Sequence, residues 1–116
     1  MAIDPTIVKQ VSGYHDLDEL YALLGSEIVG DGWGAGAEDD EEHRRFGIRW
    51  FEDHLDDIRG RVCGSIIATE LKGDLATDIT TIASAELPFA SDNQKLAVLI
   101  AAIILRRGLT AFCAES

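Results

Sequence analysis

Basic residues are scarce in this chain, which has 10 lysines and arginines against 21 aspartates and glutamates and a formal net charge of -11. The shortage lies in the first half: residues 1–60 carry 15 acids and 5 bases, whereas residues 61–116 carry 6 acids and 5 bases. Such a surface repels phosphate groups, so we expect no direct nucleic acid binding and no membrane partner. It favours a protein partner with a basic surface, or serves solubility alone.

No export signal and no membrane-spanning segment is visible in the sequence. The N-terminus lacks a basic segment followed by a long apolar stretch. The longest apolar run, residues 96–105, is about half of the ~20 residues that a membrane-spanning helix needs. We therefore expect a cytoplasmic protein of a bacterium-like cell. The two cysteines, Cys63 and Cys113, could make one disulfide, but in the cytoplasm we expect reduced thiols that pack as small hydrophobes.

The sequence does contain ample material for a helical core. Its 116 residues are 47% hydrophobic, which predicts a single helical domain over residues 1–116. The organising element is a helix at about 92–106, because its unbroken apolar run needs other helices around it. Ser91 and Gln94 have capping-box spacing at its start, and two arginines followed by Gly108 indicate its end. We predict a compact all-α fold of four to five helices around this central helix.

Apolar residues at helical spacing predict the helices that surround it. These are residues 16–29, 38–71 and 75–86. The long pattern is either one helix or two helices separated near Gly60–Gly64. Residues 4–12 form either a short helix that begins at Asp4-Pro5 or a strand. After Gly108, the last apolar residues either continue the central helix or form a short final turn.

One segment, Asp31–Glu42, has the length and three fixed positions of an EF-hand calcium loop. Its third and fifth positions must supply oxygen ligands, but they are Trp33 and Ala35. His43 and His54 are too far apart to share one metal, because eleven residues span ~16 Å along a helix. We therefore predict no metal site and no cofactor.

No set of residues indicates catalysis. Cys63 has no histidine within one helical turn to activate it. The glycines at 32, 34 and 36 have the spacing of a phosphate loop but lack its lysine and its preceding strand. We predict that the protein is not an enzyme. The alternative is an enzyme whose unrecognised acidic pocket gathers His54, Asp57 or the acids at 38–42.

The predicted function is a small acidic cytoplasmic protein-binding module: an adaptor, an inhibitor or an immunity-type protein that docks a basic partner through its N-terminal half. Aromatic residues are enriched at interface hot spots, so the aromatics near the acids either form part of this surface or fill the core. The alternatives are a self-assembling structural subunit and a DNA mimic that inhibits a nucleic-acid-binding protein. The predicted partner-binding residues are Trp33, Glu38, Asp39, Asp40, Glu41, Glu42, Trp50, Asp53, Asp56 and Asp57.

Overall fold

The fold was determined as a computed structural model that describes residues 3–29, 40–63, 71–86, 90 and 93–114. Within these ranges the chain forms seven helices and no strand, so the predicted all-α fold is confirmed. None of the helices is long and apolar enough to span a membrane. They are α1 (Pro5–Ser12), α2 (Leu17–Val29), α3 (Asp40–Asp53), α4 (Leu55–Val62), α5 (Leu75–Glu86), α6 (Gln94–Arg107) and α7 (Leu109–Ala114).

The predicted central helix is α6. Its residues 97–104 are each at most 2% exposed. Four helices, α1, α2, α5 and α7, pack against it. An apolar helix with no face for water is therefore enclosed by other helices, as its sequence requires.

The first turn of α6 differs from the prediction. Asn93 caps the helix, because its side-chain oxygen accepts a hydrogen bond from the backbone N–H of Leu96 at 3.1 Å. Gln94 is the first residue of the helix and not its third, and its side-chain oxygen accepts a hydrogen bond from the backbone N–H of Asp4 at 2.7 Å. Ser91, the predicted cap, lies outside the described residues.

Two boundaries that the sequence left open are decided by proline and glycine. Residues 5–12 are helical, with Asp4 as the N-cap and Pro5 in the first turn. At the other end, Gly108 ends α6 with a φ of 94°, a conformation that favours glycine. The chain then starts a separate helix, α7.

Where it is described, the long helical pattern forms two helices with a break at His54, which the sequence did not predict. The second helix, α4, ends at Val62, within the predicted Gly60–Gly64, where Cys63 has an extended backbone; residues 64–70 lie outside the described residues. Backbone hydrogen bonds still reach across it, from the His54 N–H to the Trp50 carbonyl at 3.1 Å and from the Ile58 N–H to the His54 carbonyl at 3.0 Å. The His54 Nδ1 atom lies 2.8 Å from the same Trp50 carbonyl. A side chain that joins the backbone ladder in this way is a recognised cause of a helix kink.

The closest helix packing occurs between α2 and α3, at Gly25 and Gly47. A Cβ atom built on Gly25 would overlap the His43 carbonyl oxygen, and one built on Gly47 would overlap the Tyr21 carbonyl oxygen. The two backbones therefore touch directly, and only glycine fits at the two positions. At Gly60, by contrast, a Cβ atom would meet nothing within 4 Å.

These glycines provide a matched stability test. Gly47→Ala should lower the free energy of unfolding by about 1–3 kcal/mol, because α2 and α3 must move apart. Gly60→Ala should raise it by about 0.5–1 kcal/mol, because alanine is the better helix former and the added methyl group has space. Urea denaturation measures both values. Equal stability of the two variants would contradict the close α2–α3 crossing.

Candidate functional site

The predicted partner-binding residues fall on two helices where the structure describes them. Trp33, Glu38 and Asp39 lie outside the described residues, and Asp40 is the first residue of α3. The remaining residues lie on α3 and α4: Glu41, Glu42, Trp50, Asp53, Asp56 and Asp57. The structure therefore brings together the part of the prediction that falls between 41 and 57.

The outer side of these helices forms a surface that we call the α3–α4 face, defined by Glu42, Phe46, Asp53, Asp56 and Asp57. All five residues are exposed. Three- and four-residue spacings place most of them on one side of a helix, and the kink at His54 leaves the hydrogen bonds on both sides of it in place. The opposite side is buried against the core through Phe51, Ile58 and Val62.

Some acids near this face are already paired. Glu41 binds the side chain of Arg44 and lies 3.4 Å from the Arg45 Nε atom. The hydrogen bond from Arg44 holds the pKa of the Glu41 carboxyl below its usual value. Glu52 lies 3.9 Å from an Arg107 guanidinium nitrogen. These carboxylates have partners within the protein.

The acids of the α3–α4 face are different. Among the described residues, Glu42, Asp53, Asp56 and Asp57 have no cation within the 4.0 Å limit of an ion pair. One base, Arg49, is exposed on the same side of α3 and also has no ion pair there. Asp56 and Asp57 lie in the first turn of α4, where negative charge suits the helix dipole. This role keeps their carboxylates exposed to solvent.

The aromatic residues nearby divide between core and surface. Phe51 is fully buried, whereas Phe46 has 39% of its surface exposed. Trp50 is intermediate: it packs against the core and stacks on His54, with ring centroids 4.4 Å apart. Phe46 is thus an exposed large apolar side chain beside unpaired acids. The sequence left its location open, because spacing alone does not show which edge of an apolar stripe reaches water.

The cysteines do not follow the expectation of reduced thiols. Cys63 and Cys113 form a disulfide that joins positions 50 apart in the sequence. The contact between the end of α4 and α7 explains the pairing: the Arg59 Nε–H donates to the Phe112 carbonyl at 3.1 Å, and the Cα atoms of the two cysteines are 5.6 Å apart. That separation lies within the usual range for a disulfide.

A buried acid is the functional candidate that sequence reasoning missed. Glu86, the last described residue of α5, is 0% exposed, and neither carboxyl oxygen has a hydrogen-bond partner in the part of the chain that the structure describes. Burial raises the pKa of Glu86 to about 8, against the opposing charge of Arg61. A signal was present: residues 79, 82 and 86 share one helical face, and the last is an acid at a core position.

The described residues contain no assembled metal site, and their one groove that we describe has no catalytic side chains. No group of three or more His, Cys, Asp and Glu side chains there is arranged to hold a metal. A groove of about 340 Å³ lies between α1 and α5. Its lining has no histidine, cysteine or carboxylate; it consists of Pro5, Val8, Lys9, Ser12, Ala76, Thr77 and Thr80.

Comparison of the chain with protein-family models, with curated proteins and with solved structures finds no match. The function is therefore argued from the residues of this chain alone.

The disulfide leads to a stability prediction. The double variant Cys63→Ser, Cys113→Ser should lose about 2–4 kcal/mol of unfolding free energy, because the disulfide restricts the unfolded chain. Urea denaturation of the wild-type protein in a reductant should show the same loss, and the double variant should not respond to the reductant. A wild-type protein that is equally stable with and without reductant would contradict this assignment.

Proposed function

We propose that this protein is a small acidic protein-binding module, acting as an adaptor, an inhibitor or an immunity-type protein, and that it is not an enzyme. The α3–α4 face docks a basic surface of a protein partner. The observation that carries the proposal is a combination on one side of α3 and α4: four acids that form no ion pair with any described residue, and one exposed aromatic ring.

The composition of this face suits arginine and lysine side chains. An arginine can bind a carboxylate through two parallel hydrogen bonds, and its planar guanidinium can stack on an aromatic ring such as that of Phe46. Because the acids lie at the surface, their attraction for a partner acts mainly on the association rate and on specificity, and salt weakens it. The paired acids Glu41 and Glu52 contribute less, since a partner must compete with their arginines.

The test compares two sets of equal charge change. Affinity capture from the native cell identifies the partner, and calorimetry measures its binding. The triple variant Asp53→Asn, Asp56→Asn, Asp57→Asn should weaken binding about 10–100-fold at moderate salt, if each lost charge pair contributes about 0.5–1 kcal/mol. A control triple variant at the start of α2 should change binding by less than about threefold; it is Asp16→Asn, Asp18→Asn, Glu19→Gln.

Two outcomes would contradict this proposal. One is an equal effect of the two triple variants, since net charge and not the α3–α4 face would then govern binding. The other is a complex that survives 1 M salt without weakening, since surface charge would then not be its basis. Phe46→Ala should weaken binding in addition, through loss of apolar contact.

The alternative functions differ from this proposal in what they predict. A DNA mimic inhibitor would compete directly with DNA for the nucleic-acid site of its partner. A self-assembling subunit would show a molecular mass above that of the monomer in solution. An enzyme would need a pocket that gathers His54, Asp57 or the acids at 38–42, and a substrate for it.

The proposal also includes the cellular compartment in which the protein acts. The sequence favours the cytoplasm, whereas a disulfide is a feature that persists in oxidising compartments and is usually transient or redox-sensing in the cytoplasm. Trapping of thiols in the native cell distinguishes the two: free Cys63 and Cys113 would support the cytoplasm, and an oxidised pair would place the protein in an oxidising compartment.

A further inference from the structure

The buried carboxyl group of Glu86 has no hydrogen-bond donor among the described residues, although buried acids normally have one. Asp78, two turns earlier on the same buried side of α5, shows the usual arrangement: its two oxygens accept hydrogen bonds from the backbone N–H groups of Lys72 and Gly73, at 2.8 and 3.1 Å. Glu86 is more deeply buried, and neither of its oxygens has a partner. The fold supplies donors to one buried acid of α5 and none to the other.

The charges on the elements packed against α5 do not neutralise Glu86. The helix α5 packs against α1, α4 and α6. On α4 the exposed Arg61 favours the ionised carboxylate, Arg59 donates to the Phe112 carbonyl, and Asp56 and Asp57 are exposed. On α1 and α6 the charged side chains are exposed or bound to other groups. They are Asp4 on the Thr6 N–H, Lys9 at the surface, Lys95 beside Glu27, Arg106 on the Ser12 carbonyl, and Arg107 on the Tyr21 hydroxyl and Glu52.

We propose that Glu86 is a proton switch: the neutral carboxyl keeps the last turn of α5 packed in the core, and its ionisation releases that turn from α4 and α6. A carboxylate in apolar surroundings without hydrogen-bond donors is strongly unfavourable. Once the proton leaves, the group must reach water. Glu86 lies one helical turn beyond Ile82, so the turn that carries it can move outward while Ile79 and Ile82 stay packed. The Glu86 carbonyl, which accepts a hydrogen bond from the Ala90 N–H at 2.9 Å, moves with that turn. This switch is independent of partner docking.

The direction of the switch follows from the pKa difference. The pKa of Glu86 is raised to about 8 in the folded protein, whereas an exposed glutamate ionises near 4.5. The folded state therefore holds a proton that the unfolded state releases, and stability falls as pH rises from about 5 through 8. The closed form belongs to acidic and neutral solution, and the released form to alkaline solution.

The test follows Glu86 itself. In the full-length protein with ¹³C-labelled glutamate, the Glu86 carboxyl carbon should titrate with a midpoint near 8 in NMR spectra. Backbone amides of residues 82–86 and of α4 should shift with the same midpoint. Their hydrogen exchange should also rise beyond its intrinsic pH dependence. Urea denaturation should show the unfolding constant growing roughly a hundredfold or more between pH 5 and pH 8.

Three variants complete the experiment. Glu86→Gln, which cannot ionise, should lose the amide shifts near pH 8 and most of the pH dependence of stability. Glu19→Gln, at an exposed position of α2, should behave as the wild type. Arg61→Gln should move the midpoint to higher pH, because it removes the charge that favours ionisation; this variant and the wild-type titration decide the matter if Glu86→Gln does not fold.

The proposal is overturned if the Glu86 carboxyl titrates near 4.5. It is also overturned if that carboxyl titrates near 8 while the amides of α4 and the last turn of α5 do not respond, since the residue would then be buried without acting on its helix.

Discussion

Enclosure of α6 is the constraint on which the rest of the structure depends. Residues 97–104 have no polar side chain and almost no exposed surface, so the helix is stable only when other helices cover it on every side. Water leaving this apolar surface supplies the main driving force for packing. The amphipathic helices around α6 need only one apolar side each, which leaves their outer sides free to carry charge. Because α6 supplies the apolar centre of the core, α3 and α4 can carry acids on their outer sides.

Apolar contact alone does not decide which helix lies where, and the polar ends of α6 supply that information. At its start Gln94 bonds to the Asp4 backbone, and at its end Arg106 donates to the Ser12 carbonyl at 3.3 Å. Because Asp4 and Ser12 are the two ends of α1, this pair of contacts sets α1 parallel to α6. Asn93 likewise donates to a Glu27 carboxylate oxygen at 3.0 Å and fixes the end of α2. Satisfied polar contacts of this kind select one arrangement among many with similar burial.

Local patterns were sufficient for much of this fold. The start of α5 and the end of α6 follow from caps, glycine and apolar spacing, which act within a few residues. The α2–α3 crossing at Gly25 and Gly47, the disulfide and the buried Glu86 depend on which helices meet, and spacing along one helix carries no such information. The same distinction holds for the candidate site. The sequence is sufficient to place the acids on α3 and α4, but only the packing of the helices shows that Phe46 faces water.

The disulfide between Cys63 and Cys113 also defines how the chain would respond to a pulling force. Because α5, α6 and most of α7 lie between the two cysteines, they form a closed covalent ring. Tension applied at the two termini passes from α4 through the sulfur atoms to the last residues and bypasses the ring. An energy-driven unfolding machine that pulls from the N-terminal side would therefore extend α1 to α4 first and would then meet a double strand of chain that contains the intact centre of the core.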